Sequence, residues 1–127
     1  IYFYFTRQSD TSGTIEIFRV KRDGSRPSQL STNSKGKRPE PKQDVTISRD
    51  GKTLFFTAAN YFQSYKNIFM MSSSGEGKIT RLTFNDAVIE TAPTPSPDGT
   101  KLAYFARTPQ GTKIFLLDLI FSAKIVE

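Results

Sequence analysis

Apolar residues fall in short runs closed by turn-forming residues, the pattern of an all-β chain. Leu54-Phe55-Phe56, Ile68-Phe69-Met70-Met71, Leu102-Ala103-Tyr104-Phe105 and Ile114-Phe115-Leu116-Leu117 are unbroken apolar stretches bounded by polar and turn residues. Successive side chains of a strand point to opposite faces. Ile114 and Leu116 therefore lie on one face, and Phe115 and Leu117 on the other. A sandwich strand would alternate, with one face wet. Bulk on both faces predicts sheets covered on both sides, the condition met when four-stranded antiparallel blades stack around an axis in a β-propeller.

The runs repeat. Ser48-Arg49-Asp50-Gly51 is echoed by Ser96-Pro97-Asp98-Gly99, with the aspartates 48 positions apart. Lys52-Thr53-Leu54-Phe55-Phe56-Thr57 is followed in the same order by Thr100-Lys101-Leu102-Ala103-Tyr104-Phe105, and Asn67-Ile68-Phe69 by Lys113-Ile114-Phe115. The start of the chain is the same unit without its first strand. Phe3-Tyr4-Phe5-Thr6 matches Leu54 to Thr57, Glu16-Ile17-Phe18 matches Asn67-Ile68-Phe69, and Gln29-Leu30-Ser31 matches Arg81-Leu82-Thr83. A period near this length fits one four-stranded blade. The expected organisation is a first blade over 1–33, a linker loop over 34–43, a second blade over 44–83 and a third over 84–127. In the second unit the expected strands, A to D, are Asp44 to Ser48, Thr53 to Ala58, Asn67 to Ser72 and Lys78 to Leu82. Asp50-Gly51 and Asp98-Gly99 are expected as structural A–B turns, since Asp accepts local amide hydrogen bonds and Gly adopts positive φ freely.

Ala92-Pro93-Thr94-Pro95-Ser96-Pro97-Asp98-Gly99-Thr100-Lys101-Leu102-Ala103-Tyr104 and Lys113-Ile114-Phe115-Leu116-Leu117-Asp118-Leu119 resemble the WD40-like, or PD40, repeat of TolB-type propellers. The resemblance is strongest in the third unit and weakest in the first. It departs at Pro95 and Ile47, where the family usually has an aromatic, and in the tail from Ile120 to Glu127. It implies a six- or seven-bladed ring when complete, so three blades are expected to be a fragment or to close with other chains. It also implies protein–protein recognition in the bacterial envelope or periplasm. The same repeat occurs as the gating domain of prolyl-oligopeptidase-like serine peptidases, which leaves that reading open beside a ligand- or glycan-binding propeller.

Composition narrows the chemistry. The 127 residues include no Cys and no His, which excludes disulfides, thiolate sites and every Ser-His-Asp arrangement within the chain. No metal or other cofactor is expected, and the chain is read as non-catalytic. No stretch is long and apolar enough for a membrane helix. The chain opens on Ile1-Tyr2-Phe3-Tyr4-Phe5, read as a strand already under way in a mature or partial product.

The formal charge is +6, with part of the excess in the 34–43 loop. Lys35, Lys37, Arg38 and Lys42 are therefore candidates for contact with an acidic protein partner, while nucleic acid lacks an accompanying recognition motif. Strand A is innermost in a propeller. Asp44, Glu90 and Thr91 are accordingly candidate channel-mouth contacts, with Asn85 and Asp86 on the approach loop.

Overall fold

The computed structural model describes residues 1–32, 40–60 and 63–119. It is all-β, with ten strands among the described residues. β1 (Tyr2–Gln8), β2 (Ile15–Lys21) and β3 (Ser28–Gln29) form one antiparallel sheet. β4 (Lys42–Ile47), β5 (Thr53–Asn60), β6 (Gln63–Ser72) and β7 (Thr80–Arg81) form a second antiparallel set. β8 (Ile89–Pro95), β9 (Lys101–Thr108) and β10 (Gly111–Asp118) form a third. A single parallel bridge, Lys66 to Ile89, links the last two sets through β6 and β8. These are the three blades expected from the repeat. Strand D of the second blade is shorter than expected, Thr80–Arg81 against Lys78 to Leu82, and its counterpart β3 also has two residues.

Adjacent residues of β5 serve different cores. Leu54, Phe56 and Ala58 pack with Met71 against Ile17, Tyr4 and Leu30 of blade 1. Phe55 joins Ile68 in packing against Leu102, Tyr104, Leu117 and Leu119 of blade 3. The period-two alternation of a strand thus becomes a stack, with the middle blade buried on both faces.

The A–B turns share one plan. Ser48 Oγ donates to Asp50 Oδ1 at 2.6 Å, and the Lys52 amide donates to the same oxygen at 3.0 Å. Ser96 Oγ and the Thr100 amide repeat this at Asp98, at 2.7 and 3.0 Å, with Thr100 Oγ1 adding a third donor at 2.8 Å. Gly51 and Gly99 each take φ 76°, which closes the turn. These hydrogen bonds favour the carboxylate, led by that from the Ser96 hydroxyl, and bring the Asp98 pKa from 3.8 down to about 2. The turn's contribution to stability is therefore present above pH 3.8 and lost as pH falls through about 2. Asp98→Asn should flatten the decline in melting temperature between those two pH values. An unchanged profile would show that the turn does not report on folding.

Strand A carries a repeated bulge. Register shifts between Gln43 and Thr46 in β4, and between Thr91 and Thr94 in β8. Asp44 and Ala92, 48 positions apart, both sit at φ 54° there. Asp tolerates this conformation through local hydrogen bonding, and Asp44 Oδ2 accepts from Thr57 Oγ1 at 3.2 Å.

Candidate functional site

Four of the sequence-selected polar residues, Lys42, Asn85, Asp86 and Glu90, converge on the junctions between blades. Glu16 at the start of β2 is fully buried, and its carboxylate meets Lys42 Nζ at 2.9 Å. Ser31, just past β3, donates its hydroxyl to Glu16 Oε1 at 2.7 Å and accepts the Ile17 amide at 2.9 Å. Lys42 therefore departs from the expectation of a partner-loop residue. It is 4 % exposed, because β4 begins at Lys42 rather than Asp44 and the strand carries its ammonium into blade 1. The other candidates of that loop, Lys35, Lys37 and Arg38, lie outside the described residues.

The next junction repeats the arrangement with different groups. Thr83 accepts the Ile68 amide at 2.9 Å and donates its hydroxyl to Glu90 Oε1. Asn67 Nδ2 donates to the same Glu90 oxygen at 3.1 Å and to the Asn85 carbonyl at 3.0 Å. Arg81 closes the cluster, donating to Asn67 Oδ1 at 2.7 Å, Asp86 Oδ1 at 2.8 Å and the Thr83 carbonyl at 2.7 Å. In blade 1 the equivalent residue, Gln29, reaches the Ser31 carbonyl in the same way at 2.8 Å. Glu90 is thus not a surface contact but a 3 % exposed acceptor inside the fold. Its charge adds to burial, the larger effect, in raising the Tyr104 pKa.

Of the remaining candidates, Asn85 and Asp86 are exposed on the β7–β8 connector, and Asp44 is exposed at its bulge. Thr91 is half-buried in β8, opposite Phe105. Asn85, Asp86 and Glu90 are brought together; Asp44 and Thr91 are not part of that cluster. Glu16, Ser31, Asn67, Arg81 and Thr83 were not selected from sequence. The available signal was a polar residue recurring at a fixed repeat position within otherwise apolar strands.

The same connector presents an aromatic platform. Phe84 is 69 % exposed, and the Arg81 guanidinium stacks over its ring at 5.0 Å. Beside it opens a cleft of about 270 Å³, lined by Phe84, Asn85, Val88, Tyr104 and Phe115 among others. Among the described residues no group of three or more carboxylates is placed to hold a metal ion. No helix is long and apolar enough to cross a membrane, among the described residues.

Stacked antiparallel blades joined by short connectors define a segment of a β-propeller. Solved structures specify which kind. The chain is similar to a protein provisionally named TolB from Agrobacterium tumefaciens, with a TM-score of 0.71 and 20 % identity over 92 % of this chain. It is also similar to TolB from Acinetobacter baumannii, with a TM-score of 0.67 and 23 % identity, again over 92 % of this chain. The fold is therefore that of a TolB-like propeller. The chain spans 38 % and 27 % of the length of those two structures. No family profile matches the sequence, and no curated protein matches it.

Proposed function

We propose that the chain is a non-catalytic protein-interaction module that acts through the β7–β8 connector at one rim of the propeller. The observation that carries this reading is the exposed Phe84 ring with Arg81 stacked on it, at the mouth of the adjoining cleft. Aromatic and arginine side chains beside a concavity are the groups that dominate binding energy at protein interfaces. Arg81 is pre-set, because Asn67, Asp86 and the Thr83 carbonyl already fix its guanidinium, so little side-chain entropy is lost on contact. A bacterial-envelope setting is supported by the PD40-type repeat and by the two TolB neighbours. The acidic-partner idea now rests on Lys35, Lys37 and Arg38 alone.

Phe84→Asp in the intact protein should cut recovery of its binding partner by about tenfold or more, the effect of losing one interface anchor. The melting temperature should hold, because the ring is largely exposed in the free protein. Unchanged recovery at an equal folded fraction would remove this rim from the interface.

A further inference from the structure

The two polar junctions balance their carboxylates differently. In the first, Glu16 meets the Lys42 ammonium at 2.9 Å and accepts the Ser31 hydroxyl at 2.7 Å. Lys42 and Glu90 share a repeat position, 48 residues apart, and each pairs with an alanine, Ala58 or Ala106. The second junction thus has its carboxylate where the first has its cation, and neutral Asn67 takes the place of Glu16 before the Ile-Phe pair. Among the described residues no lysine or arginine pairs with Glu90.

The two donors to Glu90, Asn67 Nδ2 and Thr83 Oγ1, both meet Oε1. Oε2 has no hydrogen-bond partner among the described residues, yet it is not sealed off. The one sealed side-chain atom without a partner among those residues is Arg19 Nε. Oε2 therefore keeps contact with solvent, and the cleft beside the connector supplies it, since Glu90 is the one charged residue of its described lining. Tyr104 and Phe115, stacked at 5.8 Å, also line the cleft. Burial and then the Glu90 charge raise the Tyr104 pKa, so the phenol lies within the field of the carboxylate. The chain's own cation on this face is Lys113, which flanks Ala106 on β10 as Glu90 flanks it on β8. It is exposed and forms no ion pair among the described residues.

We infer that this cleft receives a lysine side chain of the partner protein, with its ammonium on Glu90 Oε2 and its alkyl stem along Tyr104, Phe115 and Leu117. The inference rests on the rim reading and names the chemistry recognised there. Charge selects the occupant. An anion would be repelled, and an apolar group covering Glu90 would strip water from an unpaired carboxylate. An ammonium satisfies Oε2 and gains from the aromatic faces beside it, while a lysine stem suits the apolar walls. Arginine fits less well, because its planar fork seeks two free oxygens and Oε1 already holds two donors. The Glu16–Lys42 pair shows the same two groups meeting at the neighbouring junction of this chain.

An NMR titration of the intact protein with N-acetyl-lysine methylamide tests this. The amides of Glu90, Tyr104 and Phe115 should shift saturably. The norleucine analogue, which keeps the stem and lacks the ammonium, should bind about tenfold or more weakly, the scale of one charge-assisted hydrogen bond. Equal affinity for the two probes, or no saturable shift in the cleft, would overturn the inference. An arginine analogue binding as tightly as the lysine probe would overturn the choice of lysine. The probe comparison needs no variant, so it stands whatever a substitution does to folding. Glu90→Gln, with its folded fraction checked by urea denaturation, should weaken the lysine probe by a similar factor and leave the norleucine probe unchanged. Lys113→Gln should tighten the lysine probe by removing a like charge from the same face, and a weaker complex would count against the site. Failure here is separable from failure of the rim reading. If Phe84→Asp cuts partner recovery but the cleft does not prefer the lysine probe, the rim survives and the lysine assignment falls. If the cleft selects lysine through Glu90 while Phe84→Asp changes nothing, the rim reading falls instead.

Discussion

Changing Lys42 to alanine should destabilise the intact protein by about 3–5 kcal/mol, the scale for removing one partner of a buried ion pair. The side chains of Lys42 and Glu16 are 5 % and 0 % exposed, so solvent does not screen the loss. Removing the ammonium withdraws the cation 2.9 Å from a carboxylate held within the first junction. Replacing both partners, with Glu16→Leu and Lys42→Met, should recover most of that loss, because no ion then remains to be desolvated. The second junction should respond more mildly to Glu90→Gln. Its hydrogen-bond donors Asn67 Nδ2 and Thr83 Oγ1 are neutral, and an amide oxygen can still accept them at a cost of about 1 kcal/mol. Urea denaturation with the m-value checked distinguishes these outcomes. A Lys42→Ala loss below about 1 kcal/mol would give the pair the worth of a surface bridge.

The contrast between these two junctions shows what the sequence carried openly and what it concealed. The blades were legible because the turn chemistry and the apolar runs recur together. Asp50-Gly51 and Asp98-Gly99 fall at the same place in successive units, and each is followed by a strand apolar on both faces. The candidate site was only partly legible. Asn85 and Asp86 sit on the connector where approach-loop residues were expected, but Lys42 and Glu90 turn inward. The reason is positional. In a stacked sheet a residue's surroundings are set by the neighbouring blade, tens of positions away, so a charged side chain near a loop reads as solvated until its partner is known. Glu16 at the start of Glu16-Ile17-Phe18 looked like an ordinary polar strand residue, yet it is the group that draws Lys42 in. The bulges were concealed for a different reason. Asp44 suits φ 54°, but Ala92 at the same angle has no propensity signal, so the conformation is imposed by the register of β8 on β9.

The stack also predicts that damage stays on one side of the middle blade. Phe56→Ala and Phe55→Ala each remove a ring that is 0 % or 1 % exposed, and each should cost about 3–5 kcal/mol. Their effects on local opening should nevertheless differ. Phe56 stacks with Phe69 at 5.9 Å and lies in the core shared with Ile17, Tyr4 and Leu30, so its loss should speed amide exchange in β1 and β2. Phe55 lies in the core shared with Leu102, Tyr104 and Leu117, so its loss should speed exchange in β9 and β10. Nearest-neighbour coupling of this kind is what a repeat architecture implies, since each unit touches only those beside it. Exchange measured by mass spectrometry, under conditions where both variants stay folded, checks the assignment. If both substitutions loosened all the strands equally, the blades would be unfolding as one cooperative unit, and the polar junctions would then be transmitting the disturbance from one core to the other.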